Sequence, residues 1–264
     1  MNIFQIQYYL GGLVALPLLP VLYYQGKNIR KKVPRLPEAS GTIGIATSSN
    51  SPNNQTLQLI TIGESTIAGV GVDRHEEGFT GSLANSLANA LNCQVNWEVY
   101  AKSGYTAKQV SKRLIQKITP KKVDLIVIGL GGNDAFTLNN PKSWSQDCND
   151  LIKKIQERYP EAAMFFCNMP PIKEFPAFTK PIKWVIGNLV ELLGKSLNDQ
   201  VKGIPQVYYN SEVVKLETWL ARYSIEKTRN ELFSDGVHPA KITYQTWGRD
   251  MAQFIKQKLP DKIA

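Results

Sequence analysis

From residue 57 onward, short runs of apolar, largely β-branched residues alternate with longer stretches of helical period. This alternation confines the chain to a parallel sheet, because two parallel neighbours can be joined only by a crossover long enough to hold a helix. The predicted strands are residues 57–62, 94–100, 123–128, 162–167 and 206–209. Between and after them run helical stripes: Phe79, Leu83, Leu87 and Leu91; Ala107, Val110, Leu114 and Ile118; and Leu189, Leu192, Leu193 and Leu197 in a helix that starts near Trp184. A last helix, residues 241–259, aligns Tyr244, Trp247, Met251 and Phe254 or Ile255, and Pro260 follows it. The expected architecture is α/β: a parallel, five-stranded sheet with helices on both faces.

The N-terminal part is of a different kind. Residues 3–24 carry no charge, and about 20 apolar residues suffice to cross a bilayer. The net charge is +9, but Lys27, Arg30, Lys31, Lys32 and Arg35 supply five of these charges and leave +4 for the rest. The basic excess is therefore a local border beside the apolar run, a feature that attracts anionic headgroups and does not mark a nucleic-acid-binding face. The positive residues follow the apolar run, whereas in a cleavable signal peptide they precede it, so an uncleaved anchor is expected, with the positive border and the rest of the chain on the cytoplasmic side. Pro17, Pro20 and Gly11-Gly12 interrupt a straight helix, and an interfacial segment held by Tyr8, Tyr9, Tyr23 and Tyr24 is the competing form. Residues 36–56, rich in Ser, Asn, Pro and Gly, read as a linker. The expected organisation is thus anchor and basic border over 1–35, linker over 36–56 and one domain over 57–264. The three cysteines, Cys93, Cys148 and Cys167, are expected to be buried free thiols.

Open parallel sheets bind ligands where loops leave the carboxyl ends of the strands. Ser65 follows the first of these strands directly, a position that suits a nucleophile, although by itself a serine there reads first as a helix N-cap. A serine nucleophile needs a base, and the chain has two histidines. His75 lies between charged neighbours in Asp73-Arg74-His75-Glu76-Glu77 and reads as an incidental residue of a solvated loop. His238 lies three residues after Asp235 and just before Pro239, where Asp235 is placed to accept from Nδ1–H and leave Nε2 for Ser65. Its alternative is a satisfied histidine at a helix entrance. Asn133, after the third strand, and Gly104, after the second, offer donors to a developing oxyanion or serve as ordinary turn residues.

Taken together, Gly63-Glu64-Ser65, Gly104, Gly131-Gly132-Asn133-Asp134 and Asp235-Gly236-Val237-His238 resemble, in order and placement, the four sequence blocks of the SGNH/GDSL hydrolases, over about residues 57–259. The resemblance implies a doubly wound, flavodoxin-like sheet, a triad of Ser65, Asp235 and His238, and an oxyanion hole formed by Ser65, Gly104 and Asn133. One position departs from the family motif: Glu64 stands where the family has aspartate, one methylene longer. No cofactor or metal is implied. An α/β-hydrolase elbow is excluded by Ile67 at the final glycine position of Gly-x-Ser-x-Gly. Asp134 at the third glycine leaves only a weak dinucleotide fingerprint, and two well-separated histidines offer no His-Glu-x-x-His or comparable ligand set to indicate a zinc hydrolase.

The expected activity is hydrolysis of a carboxylic ester through an acyl-serine intermediate. The Pro-rich run 169–181, with Met169, Pro170, Pro171, Ile172, Phe175, Pro176, Phe178 and Pro181, reads either as an acyl pocket or as a packed connector. With the anchor it points to a lipid-derived ester, lysophospholipid or thioester, the alternatives being an acetylated carbohydrate and a membrane-tethered binding module that has lost activity.

Overall fold

The computed structural model describes residues 2–50, 55–120 and 122–259. The sheet is formed by β1 (Ile43–Thr47), β2 (Thr56–Gly63), β3 (Gln94–Ala101), β4 (Leu125–Gly129), β5 (Ala163–Phe166) and β6 (Val207–Tyr209), in the order β1-β3-β2-β4-β5-β6. The last five are mutually parallel; β4 and β5 are buried along their whole length, as strands covered on both faces are, whereas β3 alternates buried and half-buried residues. The order reverses at β2, so the crevice above its carboxyl end is the topological switch point.

Alternate residues of each central strand enter different cores, because successive side chains in a strand point to opposite faces. Leu57, Leu59, Leu125 and Val127 meet α3 (Phe79–Leu91) and α9 (Lys241–Lys258), through Leu83, Leu87, Tyr244, Met251 and Ile255. Ile60, Ile62, Ile126 and Ile128 face α4 (Ala107–Arg113), α6 (Pro141–Arg158) and α7 (Lys180–Val201), through Val110, Trp144, Ile152 and Leu193. The helix read as starting near Trp184 begins at Lys180, with Pro181 in its first turn, where a missing N–H costs no intrahelical bond. The short helices α5 (Gly132–Phe136) and α8 (Leu216–Arg222) lie in loops beyond the strands.

The segment expected to be only a linker contributes a sixth strand. β1 runs antiparallel along β3, pairing Ile43 with Glu98 and Gly44 with Trp97, and it forms the edge of the sheet. Its pattern is the reverse of the usual one. Ile43 and Ile45 point outward and are exposed, whereas the small Gly44 and Ala46 face inward, where the Trp97 ring fills the space above them. A Cβ on Gly44 would lie 2.2 Å from Trp97 Cζ2. Residues 51–54 of the linker, and 260–264 with Pro260, lie outside the described residues.

The N-terminal run is helical in two pieces, α1 (Ile3–Ala15) and α2 (Leu19–Lys32), joined by a 3₁₀ turn at Leu16–Leu18 that contains Pro17. Residues 3–32 are long and apolar enough to span a membrane or to serve as a signal sequence. They pack beside α6 and α7 through Tyr8, Leu22 and Ile29.

Because β1 fits only with a hydrogen at residue 44, Gly44→Val should displace the edge strand and cost about 1–3 kcal/mol in urea unfolding, with a change in Trp97 fluorescence. An unchanged midpoint would show that β1 adds nothing to stability.

Candidate active site

The three central strands end level with one another: Gly63 of β2 pairs with Ala101 of β3 on one side and Gly129 of β4 on the other. The loops carrying Ser65, Gly104 and Asn133 therefore rise side by side from one edge of the sheet. Ser65 opens a turn that follows β2 rather than a helix, with Ser65 O accepting from Val70 N at 3.1 Å. Its side chain is half-buried, and neither Ser65 Oγ nor Ser65 N–H has a partner among the described residues.

Glu64 fixes this turn. It is buried, and its two carboxylate oxygens accept from Gly132 N at 2.8 Å and Asn133 N at 2.9 Å, the first N–H groups of α5. These are the donors a helix leaves unpaired at its start. The longer glutamate arm thus reaches across to the β4 loop, and a Cβ on Gly132 would sit 2.9 Å from Glu64 Oε1, which leaves room only for glycine. Burial raises the Glu64 carboxyl to about 7, against the lowering effect of the two N–H bonds and with a smaller upward push from Asp134.

Asn133 is oriented from both sides. Its backbone is held by Glu64, and its side-chain Nδ2 donates to Tyr105 O at 3.0 Å, leaving the second amide hydrogen free. Gly104 has φ +84°, in the left-handed region that favours glycine, and its N–H has no acceptor among the described residues. Asp134, fully buried, accepts from Ala107 N at 2.9 Å and Asn139 Nδ2 at 3.0 Å, and so ties the β4 loop to α4. Burial holds its carboxyl above the ordinary range.

Asp235 and His238 are joined directly. His238 Nδ1 lies 2.7 Å from Asp235 Oδ2, while Asp235 Oδ1 accepts from Val237 N at 2.9 Å and His238 N at 2.7 Å. The Asp235 side chain is inaccessible to solvent, whereas that of His238 is 21% exposed. Burial alone would raise the Asp235 carboxyl, but the hydrogen bonds from the His238 ring and backbone and from Val237 outweigh it and hold the group below its usual value. The loop leans on the Ser65 turn: Ser234 Oγ donates to Gly71 O at 3.0 Å, and Tyr244 OH to Val70 O at 2.8 Å.

A cavity of about 50 Å³ is walled by Glu64 and Thr66, the residues on either side of Ser65 in sequence, together with Met169, Pro170, Phe175 and Trp247. Part of the Pro-rich run therefore lines a pocket. Another part braces the histidine loop, through Ala177 N donating to Gly236 O at 3.1 Å.

Residues 61–246 match the family model of the GDSL-like lipase/acylhydrolase family. The chain belongs to this family. Solved structures similar to this GDSL-like chain share its fold at low identity. A lipase from a goat rumen metagenome is 20% identical with a TM-score of 0.54, over 75% of this chain and 96% of that one. A lipase/acylhydrolase from Enterococcus faecalis is 19% identical with a TM-score of 0.55, over 79% and 100%. A family two carbohydrate esterase from Clostridium thermocellum, solved with cellohexaose, is 16% identical with a TM-score of 0.55, over 78% of this chain, which spans only 66% of that longer protein. No curated protein matches the chain.

Two features of the site had no signal in the sequence. Glu38, in the supposed linker, accepts from Ser103 N at 2.7 Å and pairs with Lys102 at 3.0 Å, so it clamps the loop that presents Gly104. His75, expected in a solvated loop, is 2% exposed, with Nδ1 unpartnered among the described residues, and burial lowers it to about 4. The charges around it turn outward, Arg74 to Glu76 at 2.8 Å and Glu77 to Lys241 at 2.7 Å. The three cysteines are free and buried, as read from the sequence.

The Glu64 carboxyl has a testable consequence. An unfolded chain loses this proton near pH 4.5, and the folded protein near 7, so stability falls as pH rises through that window. Glu64→Gln cannot titrate and also presents an NH₂ to an N–H, which breaks one of the two bonds. Its melting temperature should be lower than that of the wild type at pH 5, with the gap narrowing towards pH 8. A constant gap would show that Glu64 is ionised throughout.

Proposed function

We propose that the protein is a serine esterase that cleaves a carboxylic ester through an acyl-serine intermediate, with Ser65, His238 and Asp235 as its triad. The observation that carries this reading is the His238–Asp235 pair, at 2.7 Å, on a loop packed against the Ser65 turn. Asp235 fixes the tautomer in which Nδ1 bears the proton, so Nε2 is basic. His238 takes the Ser65 proton as Oγ attacks the carbonyl carbon. The tetrahedral oxyanion is held by Ser65 N–H, Gly104 N–H and the free Nδ2 hydrogen of Asn133. Collapse expels the alcohol, protonated by His238, and leaves the acyl group on Ser65. Water, deprotonated by His238, then attacks that ester, and Ser65 recovers its proton as the acid leaves. The polar donors without protein partners argue against a binding module that has lost activity.

The preferred substrate is a lipid-derived ester, lysophospholipid or thioester, supported by the apolar helices within residues 3–32, through which the chain associates with a membrane, its domain on the cytoplasmic side. The small volume of the cavity lined by Glu64 and Thr66, about 50 Å³, favours a second reading, a short acyl group such as acetyl on a carbohydrate. No nucleic-acid partner and no cofactor enter the mechanism.

Ser65→Ala should lower kcat at least about 10⁴-fold in a protein whose circular dichroism is unchanged. Asn133→Ala, which removes one donor, should cost roughly 10²–10³-fold. Full activity in either folded variant rejects the role given to that residue. Rates on p-nitrophenyl acetate, butyrate, octanoate and palmitate separate the substrate readings: a maximum at octanoate or longer supports the lipid ester, and a maximum at acetate supports the carbohydrate ester.

A further inference from the structure

We propose that the N-terminal helices lie flat in one membrane leaflet, against the hydrolase body, and do not cross the bilayer. This inference rests on the membrane association proposed above and specifies its geometry. The partner is an anionic lipid surface.

The first observation is where α1 and α2 are held. Tyr8 OH, in α1, donates to Leu138 O at 2.8 Å, and Thr179 Oγ1, at the start of α7, donates to Gln25 Oε1, in α2, at 2.5 Å. Tyr8, Leu22 and Ile29 pack on the core around α6 and α7. The body therefore accompanies the apolar helices from residue 8 to residue 29, about 30 Å at 1.5 Å per residue, which is the full thickness of a hydrocarbon core. A transverse segment that kept these contacts would carry α7 into the bilayer, with Lys180, Lys183, Glu191 and Lys195 on its accessible side. Charges at that depth are costly. In-plane placement leaves them in water and keeps every contact.

The second observation is what remains uncovered. Among the described residues, eleven of the seventeen exposed large apolar side chains lie between Ile3 and Tyr24, and Phe136, Leu138 and Trp184 of the body add to them. Leu138 and Trp184 also line, with Tyr9, Leu13 and Leu16, an apolar cavity of about 740 Å³ between α1 and α7. The third observation is charge. Lys27, Arg30, Lys31, Lys32 and Arg35 are all exposed, none has an ion-pair partner among the described residues, and Tyr23 and Tyr24 precede them, the residue types that settle at headgroup depth. A proline-broken apolar helix bordered by cations and aromatics matches a surface-lying segment.

The test uses the full chain, synthesised cell-free beside sealed vesicles of phosphatidylcholine and phosphatidylglycerol, so that the hydrolase domain stays outside. Single Asn2→Cys and Lys256→Cys variants, both at exposed positions, are treated with a membrane-impermeant maleimide; the three native thiols are buried and give little background. Wild-type esterase activity in each variant confirms its fold. The expected result is that the protein floats with the vesicles and both sites label to the same extent without detergent. If it floats but Asn2→Cys labels only after detergent, the segment spans, and the in-plane geometry is overturned while membrane association stands. If active protein does not float, both are overturned.

Discussion

The carboxylate of Glu64 joins the two halves of the site. It leaves the chain one residue before Ser65 and ends on the first two free N–H groups of α5, the second of which belongs to Asn133. One buried side chain thus sets the distance between the serine turn and the β4 loop. The interaction is costly because the carboxyl is sealed from water, and it persists because both oxygens are satisfied by donors that α5 would otherwise leave unpaired. The extra methylene relative to the family's aspartate does not disrupt the loop: glycine at 132 gives the longer arm its space.

Around that link, the sheet provides the rigidity the chemistry needs. Gly63, Ala101 and Gly129 are in register, so the three loops that bear Ser65, Gly104 and Asn133 start from one level. Short bonds then fix each loop to the next, from Asn133 to Tyr105 and from Asp134 to Ala107. The fourth loop brings Asp235 and His238 from the far end of the chain and is braced by Ser234 on Gly71 and by Gly236 on Ala177. Donors placed in advance need no reorganisation as charge develops, which is the largest source of rate in acyl transfer.

Much of this is legible in the amino-acid sequence. β2 and β4 were readable from their runs of Ile, Leu and Val, and three of the four polar loops stood out because they follow strands directly, at Gly63, Ala101 and Gly129. β1 was hidden because its two isoleucines face outward and its inward residues are Gly44 and Ala46, so neither hydropathy nor period marks it. The burial of His75 was concealed by four charged neighbours, of which Arg74, Glu76 and Glu77 form ion pairs that face outward. Glu38 was invisible for a different reason: its role depends on where residues 33–40 run over the β3 loop, a tertiary fact without local signature. The course of α1 and α2 along α7 is of the same kind.

The most direct measurement is mass spectrometry of the purified wild-type protein after treatment with a fluorophosphonate, which reacts with a serine only when a base activates it and an oxyanion hole receives its oxygen. The expected result is a single adduct on Ser65, absent from folded His238→Ala. A folded wild-type protein that forms no adduct, or forms it on another serine, would contradict the assignment of the site.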